Sequence, residues 1–193
     1  MVVFFVTARL TQLYAEAFGL AGMPVLEMHS RKSQAQRTRC AEQFREGDNL
    51  IMFSSDVSAR GMDYPDVTAV IQVGMPSEKA QYIHRLGRTG RAGKEGGGYL
   101  LLTEEERPFL RMVSDLPLAQ RPPLDASAVA KLTTDFAEAM LRVEPSSKQA
   151  GYQAWLGVLQ HLHEASRVVE RGVRAPRKSV CLHGAWPHHA ASD

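Results

Sequence analysis

Leu50-Ile51-Met52-Phe53-Ser54-Ser55-Asp56-Val57-Ser58-Ala59-Arg60-Gly61-Met62-Asp63 is the stretch whose reading decides the fold. Four apolar residues form a short buried strand, and hydroxyls and a carboxylate follow it directly. In open parallel sheets, ligands sit off the carboxyl ends of the strands. The same rhythm runs outward in both directions. Residues 2–6 are β-branched and aromatic, and Leu10, Leu13, Tyr14, Ala17 and Phe18 then recur at helical spacing until Gly19 and Gly22. Residues 25–28 are a short strand. Ser33 opens a helix with Gln36 three positions on, a capping-box pattern, and Gly47 closes it. Downstream, residues 68–73 are a strand and Ser77 caps a helix through Leu86. Residues 96–102 form another strand, and Thr103 with Glu106 caps a helix ending near Leu116. Near-continuous apolar strands alternating with helices predict an α/β domain over 1–118: a parallel sheet covered on both faces, a Rossmann-like three-layer arrangement.

The pattern changes at Pro117. Arg121-Pro122-Pro123 is a linker signal. Beyond it Val129, Leu132, Phe136 and Met140 share one helical stripe. Ser146 with Gln149 is a second capping box, leading to Tyr152, Trp155, Leu156, Leu159 and Leu162. Two amphipathic helices over 119–171 are too few to fold alone and should pack on the α/β domain. Residues 172–193 show no periodicity and carry Arg174, Pro176, Arg177, Lys178 and Pro187. They read as a disordered basic tail.

Composition removes whole classes. The 193 residues are 44% hydrophobic and 23% charged, with 15 Gly and 10 Pro, which excludes a wholly disordered, collagenous or coiled-coil chain. No apolar run approaches the ~18 residues of a membrane span, so no membrane association is expected. The first ten residues lack the flanking charge and length of a signal peptide. Cys40 and Cys181 cannot build a disulfide scaffold, and free thiols fit a reducing, intracellular compartment. Net charge is only +2, so affinity for an acidic partner must come from local patches.

Three such places stand out. His84-Arg85-Leu86-Gly87-Arg88-Thr89-Gly90-Arg91 is the strongest. Five basic residues and no acidic one lie from Lys79 to Lys94. Ile83 and Leu86 can face the core, with Arg85 and Arg88 on the opposite side. Arginines spaced by three and separated by glycines suit a polyphosphate, because guanidinium forks bind phosphate oxygens bidentately; a solvated basic helix end is the plainer alternative. In the second, Ser55 and the amides after it could hold a phosphate of a bound strand and Asp63 a ribose hydroxyl, although Ser-Ser-Asp alone is also an ordinary helix cap. The third, His29-Ser30-Arg31-Lys32-Ser33-Gln34-Ala35-Gln36-Arg37, opens a helix whose free amides and positive dipole face whatever docks there. A solvated helix face is its alternative.

Taken together, in this order and spacing, these motifs resemble the carboxy-terminal RecA-like domain of a DEAD-box ATP-dependent RNA helicase. Phe4-Phe5-Val6-Thr7 resembles motif four, Gln34-Ala35-Gln36-Arg37 the Gln-x-x-Arg element, residues 55–63 motif five and residues 84–91 motif six. The leading His84, not Gln, is similar to the DEAD-box group over its DEAH-type relatives. The run 56–66, residues 109–117 and the helices beyond look most like the fungal mitochondrial and plant organellar branch, so the resemblance extends to a mitochondrion or plastid. It implies that Arg88 and Arg91 are arginine fingers reaching the γ-phosphate of ATP and that Asp63 touches the ATP ribose. It implies that Gln34, Arg37, Ser55 and Asp56 contact RNA, and that His84 and Arg85 couple the two halves of the enzyme. Ser55 stands where the family usually has Thr, and the hydroxyl survives.

No Gly-x-x-x-x-Gly-Lys-Ser/Thr loop, Asp-Glu-Ala-Asp or Ser-Ala-Thr occurs. In the family those belong to the amino-terminal RecA-like half, which holds ATP and Mg²⁺. The resemblance therefore implies half of an enzyme, inactive alone: a fragment, a truncated gene model or a degenerate paralogue. The family's domain also has a helix before the strand matching 2–6, so one sheet face should be partly uncovered and the edge near 2–6 poorly shielded. Two other readings stay open: a free-standing, non-catalytic RNA-binding module, and a partner that docks on another RecA-like domain and inhibits it. Cys181, His183, His188 and His189 match no zinc spacing, so no metal is expected. Cys40 reads as a small packing residue and Trp155 as helix core. Arg167, Arg171, Arg174, Arg177 and Lys178 read equally as solvated surface or an RNA tether.

Overall fold

A computed structural model describes residues 1–56, 67–90, 95–122, 124–169 and 180–185. Strand β1 (Val2–Phe5) lies in the middle of the sheet, between β3 (Met52–Ser54) and β4 (Ala69–Val73), and both pairings are parallel. β2 (Leu26–Met28) adds beyond β3, and β5 (Gly97–Leu102) adds beyond β4, again in parallel. The expectation that 2–6 lies near an exposed edge is therefore corrected. An unbroken apolar strand is one buried on both faces, and Val2, Val3, Phe4 and Phe5 are all buried.

The two faces take alternate residues. Val2, Phe4, Met28 and Met52 meet Cys40, Ala41 and Phe44 of α2 (Gln34–Glu46). Val3, Phe5 and Phe53 meet α1 (Ala8–Leu20), where Phe5 stacks on Tyr14 at 5.0 Å and Phe18 meets Phe53 edge-on at 5.0 Å. Helix α3 (Lys79–Leu86) lays Tyr82 and Leu86 against Leu100, Leu102 and Phe109. On the α1 side the cover thins toward β5: Leu101 is 38% exposed and Ile71 and Val73 are half-buried. The more exposed part of this face thus lies over β4 and β5.

Local signals hold at Ser33 and Thr103 and fail at Ser77 and Ser146. Thr7 caps α1 by accepting from the amide of Leu10, and Ser33 and Gln36 form the reciprocal box. Ser77 does not cap α3. Glu78 holds that position without a side-chain bond, while Gln81 reaches back to the Ser77 amide at 2.6 Å. The helix expected after Thr103 is only a 3₁₀ turn (Glu104–Glu106) followed by α4 (Phe109–Met112), since Pro108 has no amide to continue the ladder. Glu106 nonetheless accepts from Thr103 at 2.8 Å, and its other oxygen accepts from Met75 at 2.8 Å, stapling the exits of β4 and β5.

Helices α5 (Ala126–Arg142) and α6 (Pro145–Val169) pack on the outer side of α1, as two helices without a core of their own must. Phe136 stacks on Tyr14 at 6.0 Å, and Val143 joins Leu13 and Ala17. The stripe is shorter than read, because Leu132 is 61% exposed. Asp125 caps α5 through the Ser127 amide. Ser146 lies inside α6, whose first helical position is Pro145, where the missing N–H costs nothing. Trp155 is not helix core: it is 43% exposed and leans on Tyr152 at 6.0 Å.

Gly151 sets the approach of α6 to α1. A Cβ there would lie 2.5 Å from Leu13 Cδ2 and 3.3 Å from Leu13 Cβ, while one at Gly157 meets nothing within 4 Å. Alanine in a helix interior normally gains up to about 1 kcal/mol over glycine. Gly157→Ala is therefore expected to raise thermal stability by roughly that amount. Gly151→Ala is expected to lose about 1–3 kcal/mol through overpacking. Urea melts check the pair, and two gains would show that α6 does not press on α1.

The segment 172–193 contains a strand, correcting the expectation of a wholly disordered tail. β7 (Val180–Ala185) pairs antiparallel with β5 and with β6 (Ala119–Arg121), giving the order β2-β3-β1-β4-β5-β7-β6. The free edge of β5 offers a row of unpaired amides and carbonyls, and Val180-Cys181-Leu182 has the composition to fill it. Arg171, Arg174, Arg177, Lys178, His188 and His189 lie outside the described residues.

Candidate nucleic-acid and phosphate interface

The carboxyl end of the sheet carries the first part of the site. The Ser55 amide donates to Met28 O at 3.0 Å, and the Ser54 hydroxyl donates to the same carbonyl at 3.0 Å. These bonds lash the residues after β3 to the exit of β2. Five residues past Met28, Ser33 caps α2, so Ser55 and α2 both follow the carboxyl ends of neighbouring strands. Ser55 itself is 7% exposed. Arg37 Nη2 donates to Gln34 Oε1 at 2.7 Å across one helical turn, while its buried Nε has no hydrogen-bond partner among the described residues. A buried guanidinium N–H without an acceptor costs free energy until something supplies one. A phosphate oxygen does so with a charge-assisted bond.

Between β2 and α2 the chain makes a tight turn, the start of the third motif, whose partner Glu27 lies outside that motif. His29 is 2% exposed. Its Nε2 meets Glu27 Oε1 at 2.6 Å, its Nδ1 accepts from the Arg31 amide at 3.1 Å, and Lys32 Nζ pairs with Glu27 Oε2 at 2.6 Å. Burial pushes the Glu27 carboxyl up, but the bonds from His29 and Lys32 outweigh it and hold the group below its ordinary value. The available signal was Glu27 itself, a charge inside an apolar strand that needs a partner.

Helix α3 carries the second part. Arg85 does not share an outer side with Arg88, as helical spacing suggested. It is 1% exposed, donates from Nε to Asp56 Oδ1 at 2.7 Å and lies 5.5 Å over the Phe4 ring. A buried arginine is tolerated where a carboxylate and an aromatic face replace its water. Asp56 is thereby committed to Arg85, and this pair joins the segment after β3 to α3. His84 is exposed, and Arg88 is half-buried with Nε donating to His84 O at 3.2 Å. Gly87 has φ −64°, which any residue adopts, whereas Gly90 has φ +67°, so only Gly90 needs glycine for the backbone to leave the helix. Thr89 donates to Val67 O ahead of β4, and a Cβ at Gly96 would strike Thr89 and the Gly90 amide. The arginine motif thus runs from Arg85, which reaches Asp56 past the carboxyl end of β3, to Thr89 and Gly90 at the amino ends of β4 and β5. Asp63 and Arg91 lie outside the described residues.

Among the described residues, no cluster of three His, Cys, Asp or Glu could hold a metal ion, and no helix is long and apolar enough to cross a membrane.

Residues 1–93 match the family model described as the helicase conserved C-terminal domain. DEAD-box ATP-dependent RNA helicase 25 of Arabidopsis thaliana is 47% identical over 173 residues, covering 89% of this chain. The chain spans 30% of that relative's length. Among solved structures, Mss116p DEAD-box helicase domain 2 bound to an RNA duplex aligns with a TM-score of 0.62 at 27% identity, covering 84% of this chain and 66% of that one. The E. coli DEAD-box protein SrmB bound to regulator of ribonuclease activity A aligns with a TM-score of 0.53 at 30% identity, covering 59% and 67%.

Proposed function

Because this chain belongs to the DEAD-box RNA helicases and is their carboxy-terminal RecA-like domain, we propose that it works as the second half of an ATP-dependent RNA helicase. In this reading Gln34, Arg37 and the Ser55 segment grip the sugar-phosphate backbone of RNA. Arg88 and Arg91 face ATP held with Mg²⁺ by an amino-terminal RecA-like half, and Asp63 meets the ribose. The observation that carries the RNA part is Arg37, whose buried Nε lacks an acceptor among the described residues while Gln34 fixes the guanidinium at the entrance of α2. The RNA duplex bound to the related Mss116p domain supports the same ligand class. ATP hydrolysis coupled to strand separation needs both halves, so on its own the chain binds RNA and does not turn over ATP.

Phosphate contacts dominate such binding, which is sequence-tolerant and weakens as salt rises. Arg37→Ala is expected to weaken binding to every single-stranded RNA in a panel, with the salt slope reduced by about one. Fluorescence anisotropy against salt concentration measures both. A strong preference for one sequence would instead identify a base-reading module.

A further inference from the structure

We propose that His29 is a positioning residue for RNA binding, an inference that rests on the reading of Gln34 and Arg37 as phosphate ligands. Residues 30, 31 and 33–36 are all exposed. No apolar side chain in this stretch anchors the turn to the core, so its geometry depends on hydrogen bonds. At its base the Lys32 amide donates to His29 O at 3.1 Å, and the Arg31 amide donates to His29 Nδ1 at 3.1 Å. Because Nδ1 accepts, the ring proton sits on Nε2, which donates to Glu27 Oε1 at 2.6 Å. Glu27 Oε2 holds Lys32 on the other side of the turn. The ring thus acts as a rigid spacer between the carboxylate of an edge strand and the backbone that delivers Ser33 to its cap. The capping box then fixes where Gln34 and Arg37 begin. A turn set beforehand leaves less ordering for the phosphate contacts to offset.

The two amide variants separate the ring's two bonds. Asparagine can accept the amide two residues on, the Asx-turn bond, but is too short for Glu27. Glutamine can reach Glu27 but loses the turn bond. His29→Asn is expected to bind single-stranded RNA within about twofold of the unmodified chain. His29→Gln is expected to bind about three- to tenfold more weakly, the range one lost hydrogen bond covers. Both should melt a few degrees lower, since each loses one buried contact. In the Arg37→Ala background, His29→Gln should add little, because the two changes remove one contact. Equal weakening by both variants in step with melting temperature, or no weakening by either, overturns the positioning role. Should His29→Gln fail to fold, His29→Asn decides alone: retained affinity supports the turn bond, and a loss as large as that of Arg37→Ala overturns it. If the unmodified chain does not bind RNA, or Arg37→Ala leaves binding unchanged, the RNA reading itself falls.

Discussion

If the proposed function holds, this chain mixed with RNA, ATP and the amino-terminal half of a related DEAD-box protein is expected to restore ATPase activity, and Arg88→Ala to abolish it. On the proposed reading, RNA gripped by both halves draws them together and lets Arg88 reach the transferring phosphoryl group across the interface. Charge spreads over the phosphoryl oxygens in the transition state, so a guanidinium placed there contributes to turnover more than to ground-state binding. In related phosphoryl-transfer systems a trans arginine is worth ~10³–10⁵ in rate. Assembly in trans is inefficient and narrows the visible window, but loss to background is the expected outcome. Arg88→Lys should recover little, because a point charge on a flexible stem lacks the bidentate fork. RNA affinity of the isolated chain should change only modestly in both variants. Full restored ATPase in Arg88→Ala, with RNA binding collapsed, would make the motif an RNA clamp. Gly90 at φ +67° and the bond from Arg88 Nε to His84 O show how the arginine is held where α3 ends.

The sequence shows clearly what is local. Ser33-Gln36, Thr7 and the apolar run 2–5 each carry their own instruction: a side chain that reaches the backbone three residues away, or a strand with no polar face. The parallel α/β reading follows from them. What depends on chain segments far apart is not legible in the same way. Nothing in residues 2–6 says that β3 and β4 flank them, so the central strand was placed near an edge. Nothing between 172 and 193 says that the free side of β5 is available to Val180–Ala185. Helical spacing put Arg85 outside because arginine is costly to bury. Among the described residues, Asp56, 29 residues earlier, and Phe4 make that burial tolerable. At the site, the motif residues were found by type and spacing, while Glu27 went unremarked because its role appears only once His29 and Lys32 converge on it.

Asp56→Ala is expected to destabilise the fold far more than Arg85→Met, although the two substitutions break the same ion pair. The asymmetry comes from burial: the Arg85 side chain is 1% exposed and that of Asp56 40%. Removing Asp56 leaves a guanidinium in the interior without its counter-charge, and breaking a buried pair this way costs about 3–5 kcal/mol. The Phe4 face offsets part of it, roughly 0.5–2 kcal/mol, so a net loss of about 3 kcal/mol is expected. That is a large share of the ~5–15 kcal/mol that holds a domain folded. Arg85→Met removes the buried charge, fills the space with an adaptable apolar chain, and lets Asp56 turn to water, at about 1 kcal/mol or less. The double variant should then be more stable than Asp56→Ala alone, a reversal that additive effects cannot produce. Urea melts of the three proteins measure it, and a double variant less stable than Asp56→Ala would show that the Arg85 charge is satisfied without Asp56. The pair is also a link between the Ser55 segment and α3, just past whose end Arg88 lies. With the fold kept but that link cut, the double variant is expected to retain RNA binding while RNA no longer stimulates the ATPase restored in trans.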